Sequence, residues 1–157
     1  MKNLVRILIV SMTLLAVAAS CDRSQFYAQS RSVDEHGWSS TERLPYDIEI
    51  DDTNQIYNFL VDVRINTSYP YSNTFFFITT TFPDGSIAAD TMECPLAAPD
   101  GQWFGRRTGR YVDNRYYFRK NIRFPQTGRY HFDISHGMRD DSIAGLKDVG
   151  IRLEYAK

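Results

Sequence analysis

A two-residue period runs through most of this chain, and it limits the possible folds more than any other feature. In IYNFLVDVRIN, residues 56–66, Tyr57, Phe59, Val61, Val63 and Ile65 fall on one face, while Asn58, Asp62 and Arg64 share the other with Leu60. Successive side chains of an extended strand point to opposite sides, so the pattern is that of a strand with one face buried and one wet. The period returns in YYFRKNIRF (116–124), in RYHFDIS (129–135) and in VGIRLEY (149–155). TFFFITTTF (74–82) is built from aromatic and β-branched residues that suit a pleated surface, and Pro83-Asp84-Gly85 turns it back into SIAADTMEC (86–94). YDIEI (46–50) and a segment near Phe26–Val33 complete seven or eight predicted strands. Strands at this spacing, with helical periodicity almost absent, predict an all-β, antiparallel β-sandwich of jelly-roll or immunoglobulin-like order over residues 33–157. HGMRDDSIAGLKD (136–148) reads as a loop with room for one helical turn.

The first twenty residues are of a different kind. Lys2 and Arg6 lead into the apolar stretch Ile7–Ala19, interrupted only by Ser11 and Thr13. A positive start, a short apolar run and small residues before a cut are the marks of a secretory signal peptide. The run is shorter than the roughly 17–25 residues that cross hydrocarbon. Ala18-Ala19-Ser20-Cys21 resembles the lipobox of bacterial lipoproteins, with Ala18 where Leu is usual. That resemblance implies cleavage after residue 20 and a diacylglyceryl group on the sulfur of Cys21; the other reading is an ordinary signal peptide with a cysteine beyond the cut. Residues 21–32 are then the lipidated cysteine and a polar tether, interrupted by Phe26 and Tyr27. With Cys21 acylated, Cys94 has no partner, so the mature protein is expected to lack a disulfide and to use Cys94 as a small buried apolar residue.

Charge and motif content narrow the function. Without residues 1–20 the chain keeps sixteen Lys plus Arg against nineteen Asp plus Glu, which excludes bulk nucleic-acid binding. There is no Gly-x-Ser-x-Gly elbow and no phosphate-binding loop. His131, Asp133 and Ser135 project from one strand face, but a metal site needs three or four ligands and His136 falls on the opposite face. No catalytic residue, metal ligand or cofactor is therefore assigned. The adjacent acids Asp140 and Asp141 suit a solvated loop, and Gly101, Gly105 and Gly109 suit turns in a flexible one. Acids dominate residues 34–52, and bases interleaved with aromatics dominate residues 103–124. Either the two segments lie on neighbouring strands and pair across a sheet, or the basic one meets a sugar, an anionic glycan or an acidic partner.

Three stretches carry a resemblance to a known family: YPYSNTFFFITTTFPDGSIAADTMECPLA (69–97), DGQWFGRRTG (100–109) and HGMRDDSIAGLKDVGIRLE (136–154). They resemble the gliding-motility lipoprotein family GldH of the Bacteroidetes, with Arg106-Arg107 standing where a more Gly-rich loop is expected. The resemblance implies a non-enzymatic accessory protein, lipid-anchored through Cys21 in the outer membrane, facing the periplasm, beside other gliding-motility lipoproteins and the type IX secretion machinery. It transfers no catalytic residue. Trp103, Arg106 and Arg107 are the residues expected to contact a partner or a glycan. Two rival readings stay open. One is a carbohydrate-binding envelope lipoprotein using Trp38, Trp103, Tyr116 and Tyr117; the other is a hydrolase or metal enzyme centred on His131 and Asp133.

Overall fold

The structure is a computed structural model that describes residues 24–156; Cys21 and the signal segment lie outside the described residues. Eleven strands follow one another, with no helix among the described residues. They are β1 (Gln25–Ser32), β2 (Trp38–Ser39), β3 (Leu44–Ile50), β4 (Tyr57–Asn66), β5 (Asn73–Thr81), β6 (Ile87–Pro95), β7 (Arg106–Thr108), β8 (Tyr111–Ile122), β9 (Gly128–His136), β10 (Ser142–Ile143) and β11 (Leu146–Tyr155). One sheet has the order β1-β11-β4-β8-β7, a second the order β3-β9-β5-β6, and β10 pairs with β2. Setting aside the short β2, β7 and β10, successive long strands switch sheets at every connection except the β5–β6 hairpin, as they do in a double Greek-key jelly roll. Of the two sandwich orders expected from the periodicity, the connectivity selects the jelly roll.

The apolar faces named by the two-residue period are the ones that meet. Phe59, Val61, Val63 and Ile65 of β4, with Val149, Ile151 and Leu153 of β11, pack against Tyr46, Ile48, Phe76, Ile78, Phe132 and Ile134 of the second sheet, and all are buried. Full burial stabilises each such side chain by about 1.5–3 kcal/mol. The Tyr46 hydroxyl crosses the sandwich to donate to the Val149 carbonyl at 2.7 Å, so a buried phenol is satisfied without water. On the outer face of the five-stranded sheet the charges form a lattice. Asp62 accepts from Arg115 at 2.5 Å and Arg152 at 3.4 Å, and Arg64 meets Asp113 at 2.6 Å and Asp148 at 3.5 Å.

Several local expectations are corrected. The strand expected near Phe26–Val33 is β1, Gln25–Ser32, which pairs along its length with β11, so the tether expected to run through Ser32 ends before it. Its exposed polar residues, such as Gln29 and Ser30, hide an edge strand that contributes backbone pairing more than burial. The flexible loop expected around Gly105 and Gly109 contains β7, which forms a hairpin with β8. That β8 begins at Tyr111, not Tyr116, was masked by Asn114, a polar residue buried at an inward position. Near the end of β8, Asn121 takes a positive φ of 53°, where the register against β4 shifts between Tyr57 and Phe59. Residues 136–148 hold no helical turn; Ser142–Ile143 pairs with Ser39 and Trp38 instead. The acidic and basic segments are not neighbours in one sheet either. Asp47 and Glu49 of β3 face His131 and Arg129 of β9, while Arg115 and Arg119 of β8 meet Asp62 and Asp90. Arg110 joins the two segments by meeting Glu35 at 2.7 Å, with the Tyr111 hydroxyl beside it at 3.4 Å from Glu35.

Candidate functional site at the loop pole

The antiparallel order sends the connections to two poles. Ser24, the loop 51–56, the turn 82–86, the loop 123–127 and Tyr155 gather at one, and the other collects the loops 33–43, 67–72, 96–105 and 137–145. The second pole brings together residues from all three stretches that carry the family resemblance. Ser72 accepts from the backbone N–H groups of Leu96 and Ala97, at 2.7 and 2.9 Å, which ties YPYSN to the loop before Trp103. Gly137 N–H donates to the Phe75 carbonyl at 2.6 Å, and the Tyr71 hydroxyl donates to the Asp140 carboxylate, which ties the same segment to HGMRDD. That hydrogen bond is the main reason the Tyr71 phenol is held above its ordinary pKa.

Gly145 is the node. Its N–H donates to the Glu35 carbonyl at 2.7 Å and its carbonyl accepts from Asn66 at 2.8 Å, so three loops meet on one residue. It sits at φ +89°, and a Cβ there would lie 2.8 Å from the Tyr69 Cα. Only glycine fits both the backbone conformation and the approach. Beneath these loops Trp38 is fully buried, with its ring at 5.3 Å from that of His136 in an edge contact. Burial pushes the His136 imidazole below its ordinary pKa, opposed by a backbone contact with Trp38 and by the charge of Asp140.

A cleft of about 400 Å³ opens on this pole, lined by Tyr71, Phe75, Gly137, Met138, Arg139 and Asp140. Phe77 is 48% exposed beside it, its ring so close to Gly137 that a Cβ there would come within 3.0 Å. The floor is apolar and the rim carries one charge of each sign. A larger, polar groove of about 790 Å³ runs over the outer face of the five-stranded sheet among the paired charges of β4 and β8.

The residues expected to form a contact surface do not share one cavity. Trp103 is half-buried, bridges Ala97 and packs against the core; Arg106 lines the polar groove; Arg107 donates from Nε to the carbonyl of Gly109, in its own turn, at 3.1 Å. Phe104, next to Trp103, is the exposed ring of that loop. Tyr71, Phe75, Gly137 and Met138 were not singled out by sequence reasoning, although two of the resembling stretches contain them. The aromatics suggested for sugar stacking are also scattered: Trp38 is buried, Tyr116 donates its hydroxyl to the Pro95 carbonyl, and Tyr117 lies exposed beneath Lys120. They form no common platform. His131 is held between two carboxylates, Nδ1 at 2.9 Å from Asp47 and Nε2 at 3.4 Å from Asp133. The hydrogen bond with Asp47 is the chief cause of its raised pKa, and the ring links β3 to β9, as an ion pair when it is protonated. Among the described residues no three His, Cys, Asp or Glu side chains are placed to hold a metal ion. Cys94 is a free thiol, fully buried.

Fold and loop pole together define a jelly-roll domain in which three separate stretches each send a loop to one end. The chain belongs to the GldH lipoprotein family, whose profile matches residues 25–153 and so opens on the first residue of β1. It is similar to the gliding motility lipoprotein GldH homolog of Christiangramia forsetii, 28% identical over 143 residues that cover 87% of this chain and 87% of that protein. The gliding motility lipoprotein GldH of Flavobacterium johnsoniae is 28% identical over 142 residues, 86% of this chain and 87% of its own length. Among solved structures, a family GH115 4-O-methyl-α-glucuronidase aligns with 88% of this chain and 18% of its own, at 8% identity and a TM-score of 0.44. The TmCBM61 complex with β-1,4-galactotriose aligns at 12% identity and a TM-score of 0.35, over 83% of this chain and 70% of that one. Likeness at that level bears on neither activity nor ligand.

Proposed function

We propose that the mature protein is a non-enzymatic accessory lipoprotein of the gliding-motility apparatus, anchored through Cys21 in the outer membrane, facing the periplasm, and working beside other motility lipoproteins and the type IX secretion machinery. The loop pole is its partner-binding surface. The observation that supports this reading is convergence: three stretches resembling the family, separated in sequence, are tied to one another at a single end of the domain, where Phe104 N–H donates to the Leu96 carbonyl at 2.8 Å, Gly137 N–H to the Phe75 carbonyl, and the Tyr71 hydroxyl to Asp140. Core packing alone does not ask for such loops, which lie at the surface and carry function more often than the strands they join. The relatives named for gliding motility supply the process, and a doubly acylated Cys21 supplies stable retention, since one chain alone binds membranes only marginally. Trp103 braces the 96–105 loop in this arrangement, and Phe104, Met138, Arg106 and Arg107 present the contact surface.

The test is cross-linked co-purification of the tagged protein from its native envelope. It is run beside Cys21→Ser and beside a Phe104→Ser, Met138→Ser variant. Motility or secretion proteins are expected with the unsubstituted chain. They fall away in Cys21→Ser with loss of membrane retention, and in the double variant without it. Recovery of glycan alone overturns the reading in favour of a carbohydrate-binding lipoprotein, and recovery of nothing overturns the machinery role.

A further inference from the structure

We infer that the pole opposite the functional loops rests on the lipid surface, so that the jelly roll stands with its strands upright and holds the loop pole roughly 30 Å above the headgroups. The inference rests on the acylation of Cys21 proposed above. The constraint is covalent. Ser24 is held in the fold, its carbonyl accepting from the Tyr155 N–H at 2.7 Å. Three Cα steps separate Cys21 from Ser24. At about 3.6 Å per residue they span at most roughly 11 Å in any conformation. The polar layer of a leaflet is itself roughly 5–8 Å deep. A sulfur acylated at the base of that layer therefore keeps Ser24 at or just above the headgroups.

The surface around Ser24 decides how the domain lies. Standing on this pole brings Tyr155, 38% exposed, and Ile87, 70% exposed, to headgroup level. Rings with a polar tip are the side chains that settle at such an interface. Tyr155 is braced from behind, stacked on Tyr57 at 5.7 Å and edge-on to Phe26 at 5.6 Å, and Tyr57 continues through Phe124 to Tyr130 and Phe82. Lying down on the nearest side would instead press β1 and β3 against lipid, with Gln29 and Ser30 of the one and Asp47 and Glu49 of the other exposed along it. The pole carries Asp51, Asp52 and Asp84 against Arg123, so it fits net-neutral, ammonium-bearing headgroups better than an anionic sheet of lipid. β4, ten residues at about 3.3 Å each, is about 33 Å long and sets the height of the loop pole.

The experiment uses the full-length acylated protein in vesicles of phosphatidylethanolamine and phosphatidylcholine that contain a nitroxide-headgroup lipid as quencher. Single fluorophores are placed on Thr127→Cys at the lower pole, Ala28→Cys midway along β1 and Gln102→Cys in the loop pole; native Cys94 is buried and does not compete. Quenching is expected to be several-fold stronger at position 127 than at 102, with 28 between them. Inserting twelve Gly and Ser residues between Arg23 and Ser24 is expected to abolish that gradient while the protein still sediments with the vesicles. Equal quenching at 127 and 28 refutes the upright stance, as does strongest quenching at 102 or a gradient that survives the insertion. Failure of the unsubstituted protein to sediment refutes the anchor itself, and the orientation with it.

Discussion

Replacing Gly145 by alanine tests whether the loop pole is held together as described. The residue sits at φ +89°, where a side chain costs about 1–3 kcal/mol of backbone strain. Its new methyl would lie 2.8 Å from the Tyr69 Cα and 3.1 Å from the Tyr69 N and Cβ, so it cannot be accommodated by a side-chain rotation. Moving Tyr69 disturbs its edge contact with Tyr71 at 5.7 Å, and the two hydrogen bonds through Gly145 to Glu35 and Asn66 must stretch as well. Overpacking of this kind adds about 1–3 kcal/mol, for a total of about 2–6 kcal/mol with its centre near 4. In a domain of this size, the central value is a fall in melting temperature of roughly 10–15 °C. Gly109→Ala is the control: φ there is +60°, inside the left-handed region, with nothing within 4 Å of the new Cβ. It is expected to cost about 1 kcal/mol. The assay is thermal and urea unfolding of the mature protein in detergent, followed by far-ultraviolet circular dichroism. Equal losses in the two variants would falsify the close-approach argument, because they would leave backbone conformation as the whole effect.

The two histidines of β9 predict opposite pH dependences. His136 has a depressed folded pKa, so as pH falls through about 6.5 the unfolded chain binds its proton first and stability declines. His131 has a raised folded pKa; its contribution is complete below about 6.5 and is lost as pH rises through its folded value. Urea midpoints between pH 5 and 8 should therefore fall less steeply in acid for His136→Gln and more steeply for His131→Asn, and unchanged slopes in both would contradict the burial and pairing seen here. Cys94 is fully buried, and desolvation pushes its thiol up to about 12. Iodoacetamide should leave it untouched in the native protein and modify it on unfolding; native labelling at the rate of a free thiol would show that the core opens at β6.

Residues that face one way along a strand were legible from the chain itself, because the period of two is a property of extended backbone and needs no partner to be read. Tyr57 through Ile65, Tyr130 through Ile134 and the turn at Pro83-Asp84-Gly85 came out where local chemistry put them. The edge strand β7 did not, since it is held by backbone pairing and leaves its side chains in water, while β1, for the same reason, was read both as a strand and as tether. Charge partners were equally hidden. Asp62 and Arg115 are far apart in sequence and meet only because β4 lies beside β8, whereas the acidic run of β3 sits in the other sheet. The loop pole belongs to the same category. Its parts are visible as three stretches resembling one family, but nothing local says that Tyr71 reaches Asp140 or that Gly145 must pass against Tyr69. Local sequence determined which faces are apolar and therefore that two sheets must pack. Long-range strand order, set by how those faces close on one another, alone decided which loops share an end and how far that end stands from residue 24.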